Sequence, residues 1–426
     1  MVFIIRTQNV LVFPAGTEIG LEIHNALKYS KFVKLFGANS IPAHEEFVFE
    51  NYIPDPAPFA DSPELVPYLN RIIDEHHIDW IYPAHDSVLL ALAEQREHLH
   101  CPIIAPATKT VQICRDKNKT YDFFNGQWYI TNYYRSAEEV PYYPVFIKPT
   151  VGQGATDARR IDDREHLEEA IASGTEYAIC EYLPGNEYTI DCFTDRNRKL
   201  IFANFRMRDI ITSGIAVQSH PMPVDEEVWK IAEDINEKLE FIGSWFFQLK
   251  KNTRGEYKLL EIAPRIAGTT TVTRNLGVNL EMLTIFTFCG YDVEILNNGN
   301  EEVMGRAFDR CFKTSIAYDT VYLNFEDTLI VHGKVNTELI RFLYQARNQG
   351  KKIVLFKPAA ANLGEYRIAE SLFDKILDDS FETKTNHVKN DGIYIDESYE
   401  MRKYFHGKKI PIFEVSMIES LLDHRM

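Results

Sequence analysis

Cysteine is sparse and scattered in this chain. The six (Cys101, Cys114, Cys180, Cys192, Cys289 and Cys311) form no CxxC pair and have no metal-like spacing with histidine. That excludes a thiolate metal knuckle and a disulfide framework, and predicts reduced thiols in a cytosolic protein. No run approaches the ~20 apolar residues that a membrane span needs. The first twelve residues are apolar but lack a basic leader, an extended core and a small-residue cleavage site, so they read as a buried strand and not as an export signal. Positive charge is in deficit: 46 Lys and Arg stand against 62 Asp and Glu, a net charge of −16. A general nucleic-acid binder needs a basic face, so that class is disfavoured. A nucleotide ligand needs only a few well-placed cations and is not excluded. There is no internal repeat and no low-complexity tract. The expectation is a soluble, cytoplasmic protein with neither nucleic acid nor membrane as a partner.

What is present is alternation. A length of 426 residues, 45% apolar and 25% charged, suits two or three folded domains. Strand Val10–Phe13, helix Leu21–Tyr29, strand Val33–Leu35, helix Pro67–His76, strand Trp80–Pro83 and a helix through Leu89, Leu90 and Leu92 give the rhythm of a parallel sheet covered by helices. From about Arg115 the rhythm changes. Helix Lys117–Phe124, strand Val145–Lys148, a glycine loop, helix Arg164–Ser173 and strand Ala178–Glu181 precede a stretch of antiparallel signals from Tyr188 to Ile262. A final βαβ pattern starts at Val321. The predicted class is α/β: a parallel domain over 1–114, a two-lobed α+β domain over 115–315 and a Rossmann-like α/β domain over 316–426.

Three features in the middle point to chemistry. The first is Lys148 at the end of an apolar strand, followed by Gly152-Gln153-Gly154. A lysine there is costly unless an anion meets it, and two glycines let backbone N–H groups close around phosphate oxygens. The loop follows the lysine, so it is neither a Walker A loop nor a Rossmann fingerprint. The second is Glu181-Tyr182-Leu183-Pro184-Gly185-Asn186-Glu187, a turn between two strands. Glu181 and Leu183 suit the edge of a purine ring, and Glu187 suits ribose hydroxyls. The third is the pair of strands Ser244–Lys250 and Tyr257–Ile262 around Asn252-Thr253-Arg254-Gly255. A turn centred between Arg254 and Gly255 makes Gln248 and Glu261 cross-strand partners, ~5 Å apart on one face. Hard oxygen ligands at that separation suit Mg²⁺ bridged to phosphates. Pro264-Arg265 follows, placing a guanidinium where a transferring phosphoryl group would be clamped. Singly, each admits a plainer explanation: a solvated strand-end lysine, an ordinary hairpin, a satisfied Gln–Glu pair.

In this order and spacing the three together resemble the ATP-grasp superfamily, in particular its carbamoyl-phosphate-synthase-like carboxylate–amine ligases, over roughly residues 1–310. Arg115-Asp116-Lys117 is similar to the family's entry to the central domain. The resemblance implies that ATP and Mg²⁺ are used and that small-molecule carboxylate and amine substrates are joined; it admits a homodimer. It implies that Lys117 and Lys148 hold the α- and β-phosphates with Gly152–Thr156, including Gln153 and Gly154, closing over them. Glu181 and Leu183 would bind adenine, Glu187 the ribose, Gln248 and Glu261 the metal, and Arg265 would stabilise phosphoryl transfer. Arg206 and Arg208 would meet the substrate carboxylate or the acyl phosphate. Gly16–Gly20 and His85-Asp86-Ser87 look like substrate-side elements. One position departs: where the family has Glu-x-Asn-Pro-Arg, this chain has Glu261-Ile262-Ala263-Pro264-Arg265, and alanine cannot coordinate a metal.

The last hundred residues resemble haloacid-dehalogenase-like phosphatases through the stretch Asn324-Phe325-Glu326-Asp327-Thr328 and the later Asp396. The nucleophilic aspartate is replaced by Asn324, the acid/base aspartate by Glu326, and the usual Ser/Thr by Lys357, while Asp396 and Lys384 remain. A neutral amide does not attack phosphorus, so this domain is expected to have lost hydrolysis. Two further readings stay open: a nucleotide-binding regulatory protein without catalysis, and a phosphatase regulated by an ATP-grasp domain.

Overall fold

The computed structural model describes residues 6–152, 154–299 and 303–425. They fall into two compact units, the first running to Phe308 except for Phe47–Glu50, the second comprising Phe47–Glu50 and the residues from Asp309 on. The boundary expected at 114/115 lies inside the first unit.

The first unit opens with a parallel sheet of β1 (Gln8–Phe13), β2 (Val33–Gly37), β3 (Asn51–Tyr52) and β4 (Trp80–Pro83), in the order β3-β2-β1-β4. Val10 to Phe13 are wholly buried, as befits a central parallel strand covered on both faces. The helix after β1 begins at Glu18, three residues earlier than the apolar pattern indicates, because Thr17 caps it: its Oγ1 accepts from Gly20 N at 3.0 Å. Gly20 itself is packed so closely that a Cβ there would lie 2.5 Å from the Ala15 carbonyl oxygen. The helix after β4, Asp86–Glu94, starts the same way behind His85. Both loops therefore deliver polar residues to the carboxyl edge of a parallel sheet, where such folds present ligand sites.

An antiparallel sheet follows: β5 (Tyr133–Tyr134), β6 (Val145–Pro149), β7 (Arg159–Ile161) and β8 (Tyr177–Glu181), ordered β5-β8-β6-β7. The third sheet contains β9 (Glu187–Thr194), β10 (Leu200–Thr212), β11 (Ile215–Met222), β12 (Gly243–Lys251), β13 (Tyr257–Ala263) and β14 (Met304–Gly305), ordered β13-β12-β9-β10-β11-β14. One face of it presents Ile190, Phe205, Trp245, Phe247 and Leu259 to Val228, Ile231, Ala232 and Ile235 of helix Glu226–Lys238. Burying each of the larger aliphatic side chains is worth about 1.5–3 kcal/mol. The other face is polar and carries the site.

The second unit holds β15 (Thr320–Asn324), the small hairpin β16 (Ile330–Val331) and β17 (Lys334–Val335), then β18 (Lys352–Lys357), β19 (Lys375–Asp378), β20 (Gly392–Ile395) and β21 (Ile412–Phe413). Its main sheet is parallel and ordered β19-β18-β15-β20-β21. The expected mixture of parallel and antiparallel α/β architecture is what the chain adopts. No helix among the described residues is long and apolar enough to cross a membrane.

Candidate functional site

Strand register sets out the polar face in rows. Across β12, β9 and β10, Lys250 aligns with Glu187, which Arg208 of β10 meets as an ion pair; the next same-face row is Gln248, Thr189 and Arg206; the next is Phe246, Asp191 and Asn204. Period-2 alternation puts all nine on one side. The two arginines then meet different fates. Arg206 is wholly buried. It donates to Asp191 through Nε at 2.7 Å and Nη2 at 2.8 Å, and to Thr269 Oγ1 at 2.7 Å, while Thr273 Oγ1 donates to the same Asp191 at 2.5 Å. The role expected for Arg206 at the substrate is thereby corrected: its guanidinium is spent on a buried ion pair beneath Thr269 and Thr273. Arg208, one turn of the pleat further on, faces the cavity. It pairs with Glu187, donates to Gln248 Oε1 at 3.0 Å and to the Gly214 carbonyl at 2.6 Å.

A bulge brings Gln248 and Glu261 into line. Gln248 pairs with Glu261, but Leu249 pairs with Leu259, leaving Leu260 as an extra residue in β13. The hairpin centres on Arg254 and not between Arg254 and Gly255 as expected; the bulge restores the register that places Gln248 opposite Glu261. It also frees the Leu260 carbonyl, which accepts from Lys148 Nζ at 2.7 Å and Tyr121 Oη at 2.9 Å. Tyr121 lies with its ring centroid 5.3 Å from the Lys148 ammonium.

Around these groups lies a cavity of about 390 Å³. Lys117, Lys148, Gly152, Gly154, Glu181, Leu183 and Glu187 line it, together with Gln248 and Glu261. Gln153 lies outside the described residues. Burial, reinforced by the nearby Lys148 and Arg115 charges, lowers the pKa of Lys117 below its ordinary value, with Glu261 opposing. The Glu181 carboxylate is held by Asn132, through its backbone N at 3.2 Å and Nδ2 at 3.1 Å. Glu187 accepts from Lys250 Nζ at 3.3 Å besides pairing with Arg208. The hairpin tip between β10 and β11 meets the glycine loop at Gly214, whose φ is +76° and where a Cβ would lie 2.7 Å from the Gly154 carbonyl carbon. Only glycine allows that approach.

A second cavity, about 410 Å³, shares Gly154, Arg208, Gly214, Gln248 and Glu261 with the first and adds Glu18, His85, Asp86, Arg265 and Arg306. Arg265 is clamped by Asp86, Nε to Oδ1 and Nη2 to Oδ2 both at 2.6 Å. Burial alone would raise the Asp86 pKa, but the Arg265 guanidinium overrides it and holds the carboxyl below its usual range. Burial lowers the pKa of His85, assisted by Arg265 and Arg115. Arg306 donates to Glu18 Oε1 at 2.5 Å. Sequence reasoning found the His85-Asp86 loop but not the Asp86–Arg265 clamp, nor Arg306, Lys250 or Tyr121; none of these has a local signature, since each depends on a partner far along the chain.

The donor chemistry fits a magnesium ion. Glu261 offers a carboxylate without a hydrogen bond or ion pair among the described residues, and the Gln248 amide oxygen retains a second lone pair beside its bond from Arg208. Ala263 is buried against Phe246 and Ala267, and Phe246 lies under the Arg265 guanidinium at 5.3 Å.

In the second unit, Asn324 ends β15 with its Nδ2 donating to the Glu326 carbonyl at 3.1 Å, while its Oδ1 has no partner among the described residues. Lys357 Nζ donates to the Ala361 carbonyl at 2.6 Å. Asp396 accepts from the Tyr394 hydroxyl and stands 3.8 Å from Lys384 Nζ.

Residues 175–304 match the family model described as ATP-grasp in the biosynthetic pathway with Ter operon. A search of curated proteins by sequence returns no match. Among solved structures the chain is similar in fold to N5-carboxyaminoimidazole synthetase from Staphylococcus aureus complexed with ADP, with a TM-score of 0.60, 15% identity, and coverage of 71% of this chain and 82% of that one. It is similar also to a biotin carboxylase–nucleotide complex from Campylobacter jejuni, with a TM-score of 0.57, 16% identity, and coverage of 68% and 73%. An L-amino acid ligase from Bacillus licheniformis aligns with a TM-score of 0.50 and 19% identity, over 66% of this chain and 73% of that one.

Proposed function

We propose that this protein is an ATP-dependent ligase that activates a substrate carboxylate as an acyl phosphate, releasing ADP, for attack by an amine. The observation that carries the reading is convergence. Lys117, Lys148, Glu187, Gln248 and Glu261, drawn from separate segments, line one cavity, and a second cavity holding Arg265 shares its wall. The matched family model and the nucleotide-bound relatives of the same fold support it.

In this reading the triphosphate lies along Lys117, Lys148 and the glycine loop, which bind by charge and backbone N–H donation. Glu261 and Gln248 would hold Mg²⁺, which supplies charge neutralisation between phosphates when bound. The carboxylate substrate enters the second cavity and attacks the γ-phosphorus in line. The P–O bond to ADP breaks, and the amine then displaces phosphate from the acyl carbon. Arg265, locked by Asp86, presents a preorganised positive charge to the transferring group. Most of the rate enhancement is positioning. Which acid and which amine are joined is decided by the second cavity.

The second unit is proposed to be a phosphatase-like domain without hydrolysis, since the side chain at the end of its central strand is the amide of Asn324.

Product analysis tests the reading. ADP and phosphate, released in proportion to both a carboxylic acid and an amine drawn from a panel, are expected. AMP and pyrophosphate would refute the mechanism. Glu261→Ala should abolish turnover, and an active variant would refute the role given to Glu261.

A further inference from the structure

Given the nucleotide site proposed above, on which this inference rests, the acids around it are nearly all committed. Glu18 is held by Arg306, Asp86 by Arg265, Glu181 by Asn132, and Glu187 by Arg208 and Lys250. Among the described residues lining the two cavities, Glu261 is the one carboxylate left without a hydrogen bond or ion pair. Its same-face neighbour two residues on is Ala263, and opposite Ala263 across the strands stands Phe246. A methyl group and a phenyl ring thus occupy the next pair of positions beyond Gln248 and Glu261. Magnesium needs several hard oxygens in near-octahedral array, and two ions held side by side need carboxylates to bridge and flank them. One carboxylate and one amide oxygen supply enough for a single ion.

A cation already stands beside that amide. The Arg208 guanidinium, only 7% exposed, lies against Glu187, Gln248 Oε1 and the Gly214 carbonyl, and because Lys250 shares Glu187 with it, the three side chains keep a net positive charge, unlike the one-to-one pair of Arg206 with Asp191. We infer that this site binds one divalent ion per nucleotide and that Arg208 supplies, from the protein itself, the second positive charge facing the phosphates. A guanidinium is well suited to that role, because it stays ionised, needs no coordination shell and presents several donors to phosphate oxygens.

The experiment titrates Mn²⁺ into the full chain with a non-hydrolysable ATP analogue, counting bound ions by electron paramagnetic resonance. Analogue binding is measured in parallel by calorimetry. One Mn²⁺ per bound analogue is expected, and two would overturn the inference. If no analogue binds, the nucleotide reading itself falls, a result plainly different from a count of two. The charge role of Arg208 is tested in Arg208→Met and Arg208→Lys through the ratio of triphosphate-analogue affinity to adenosine affinity. A purely structural arginine would leave that ratio unchanged, and an unchanged ratio in Arg208→Met overturns its role. The expectation is a fall of about tenfold or more in Arg208→Met, with partial recovery in Arg208→Lys.

Discussion

Lys148 donates to the carbonyl of Leu260 at 2.7 Å across 112 residues of sequence, so the lysine proposed to meet phosphate is fixed by the same bulge that aligns Gln248 with Glu261. The lysine is thereby oriented before any anion arrives. Lys148→Met removes both this bond and a cation. Hydrogen bonds to charged groups contribute roughly 1.5–3 kcal/mol, so nucleotide affinity should fall by between about tenfold and about 150-fold, read by calorimetry. Unchanged affinity would remove Lys148 from the site.

Lys117 gives a pH signature. Its pKa is lowered from 10.5 chiefly by burial, aided by the Lys148 charge. A phosphate binds the protonated form, so binding must raise that pKa, and linkage makes affinity highest where Lys117 is already charged. Nucleotide affinity should therefore decline with rising pH in a range below that of an ordinary lysine. Lys117→Arg stays ionised and should flatten the decline. A profile identical in both proteins would count against Lys117 as a phosphate ligand.

Arg206 should behave as a structural residue. Truncating one partner of a buried pair costs about 3–5 kcal/mol, because the other charge is left uncompensated. Arg206→Met should lower the unfolding temperature markedly by differential scanning calorimetry, while the folded fraction keeps the KM for the carboxylate substrate. A variant of normal stability with a raised KM would restore the substrate role to Arg206.

Glu281, which lines neither cavity, adds a second titration. Fully buried, it has its pKa pushed up to about 8 by loss of solvation, with Glu22 contributing. Thr270 Oγ1 lies 2.9 Å from both the Ala267 carbonyl and Glu281 Oε1. Its single hydrogen serves only one acceptor, so a protonated Glu281 that donates to the hydroxyl satisfies both contacts. The folded pKa lies above the unfolded value of 4.5, so the native state binds the extra proton and stability is lost as pH rises from the unfolded value through about 8. The span is on the order of a few kcal/mol. Glu281→Gln should flatten that dependence in thermal unfolding between about pH 5 and pH 9; a slope like that of the parent chain would show that another group titrates.

Much of the candidate site is legible in the sequence because its signals are local. A lysine ending an apolar strand, two glycines after it, and two alternating strands around a short turn each declare themselves within about ten residues. Lys148, Glu187, Gln248 and Glu261 are reachable in that way, and so are the parallel sheet of the first hundred residues and the parallel sheet of the last hundred. The helix Thr108–Arg115 carries no such signal, and the helix start at Glu18 escapes apolar spacing because a threonine cap sets it.

By itself the sequence determined which side chains share a face, since period-2 alternation is a property of the strand. It could not determine which part of a face is covered. Arg206 and Arg208 alternate identically, yet Thr269 and Thr273, more than sixty residues away, bury one and leave the other at the cavity. The Leu260 bulge, the Asp86–Arg265 clamp across 179 residues and the raised pKa of Glu281 likewise come from tertiary structure. Desolvation and ion pairing depend on what packs overhead, and that is settled only when the chain has closed on itself.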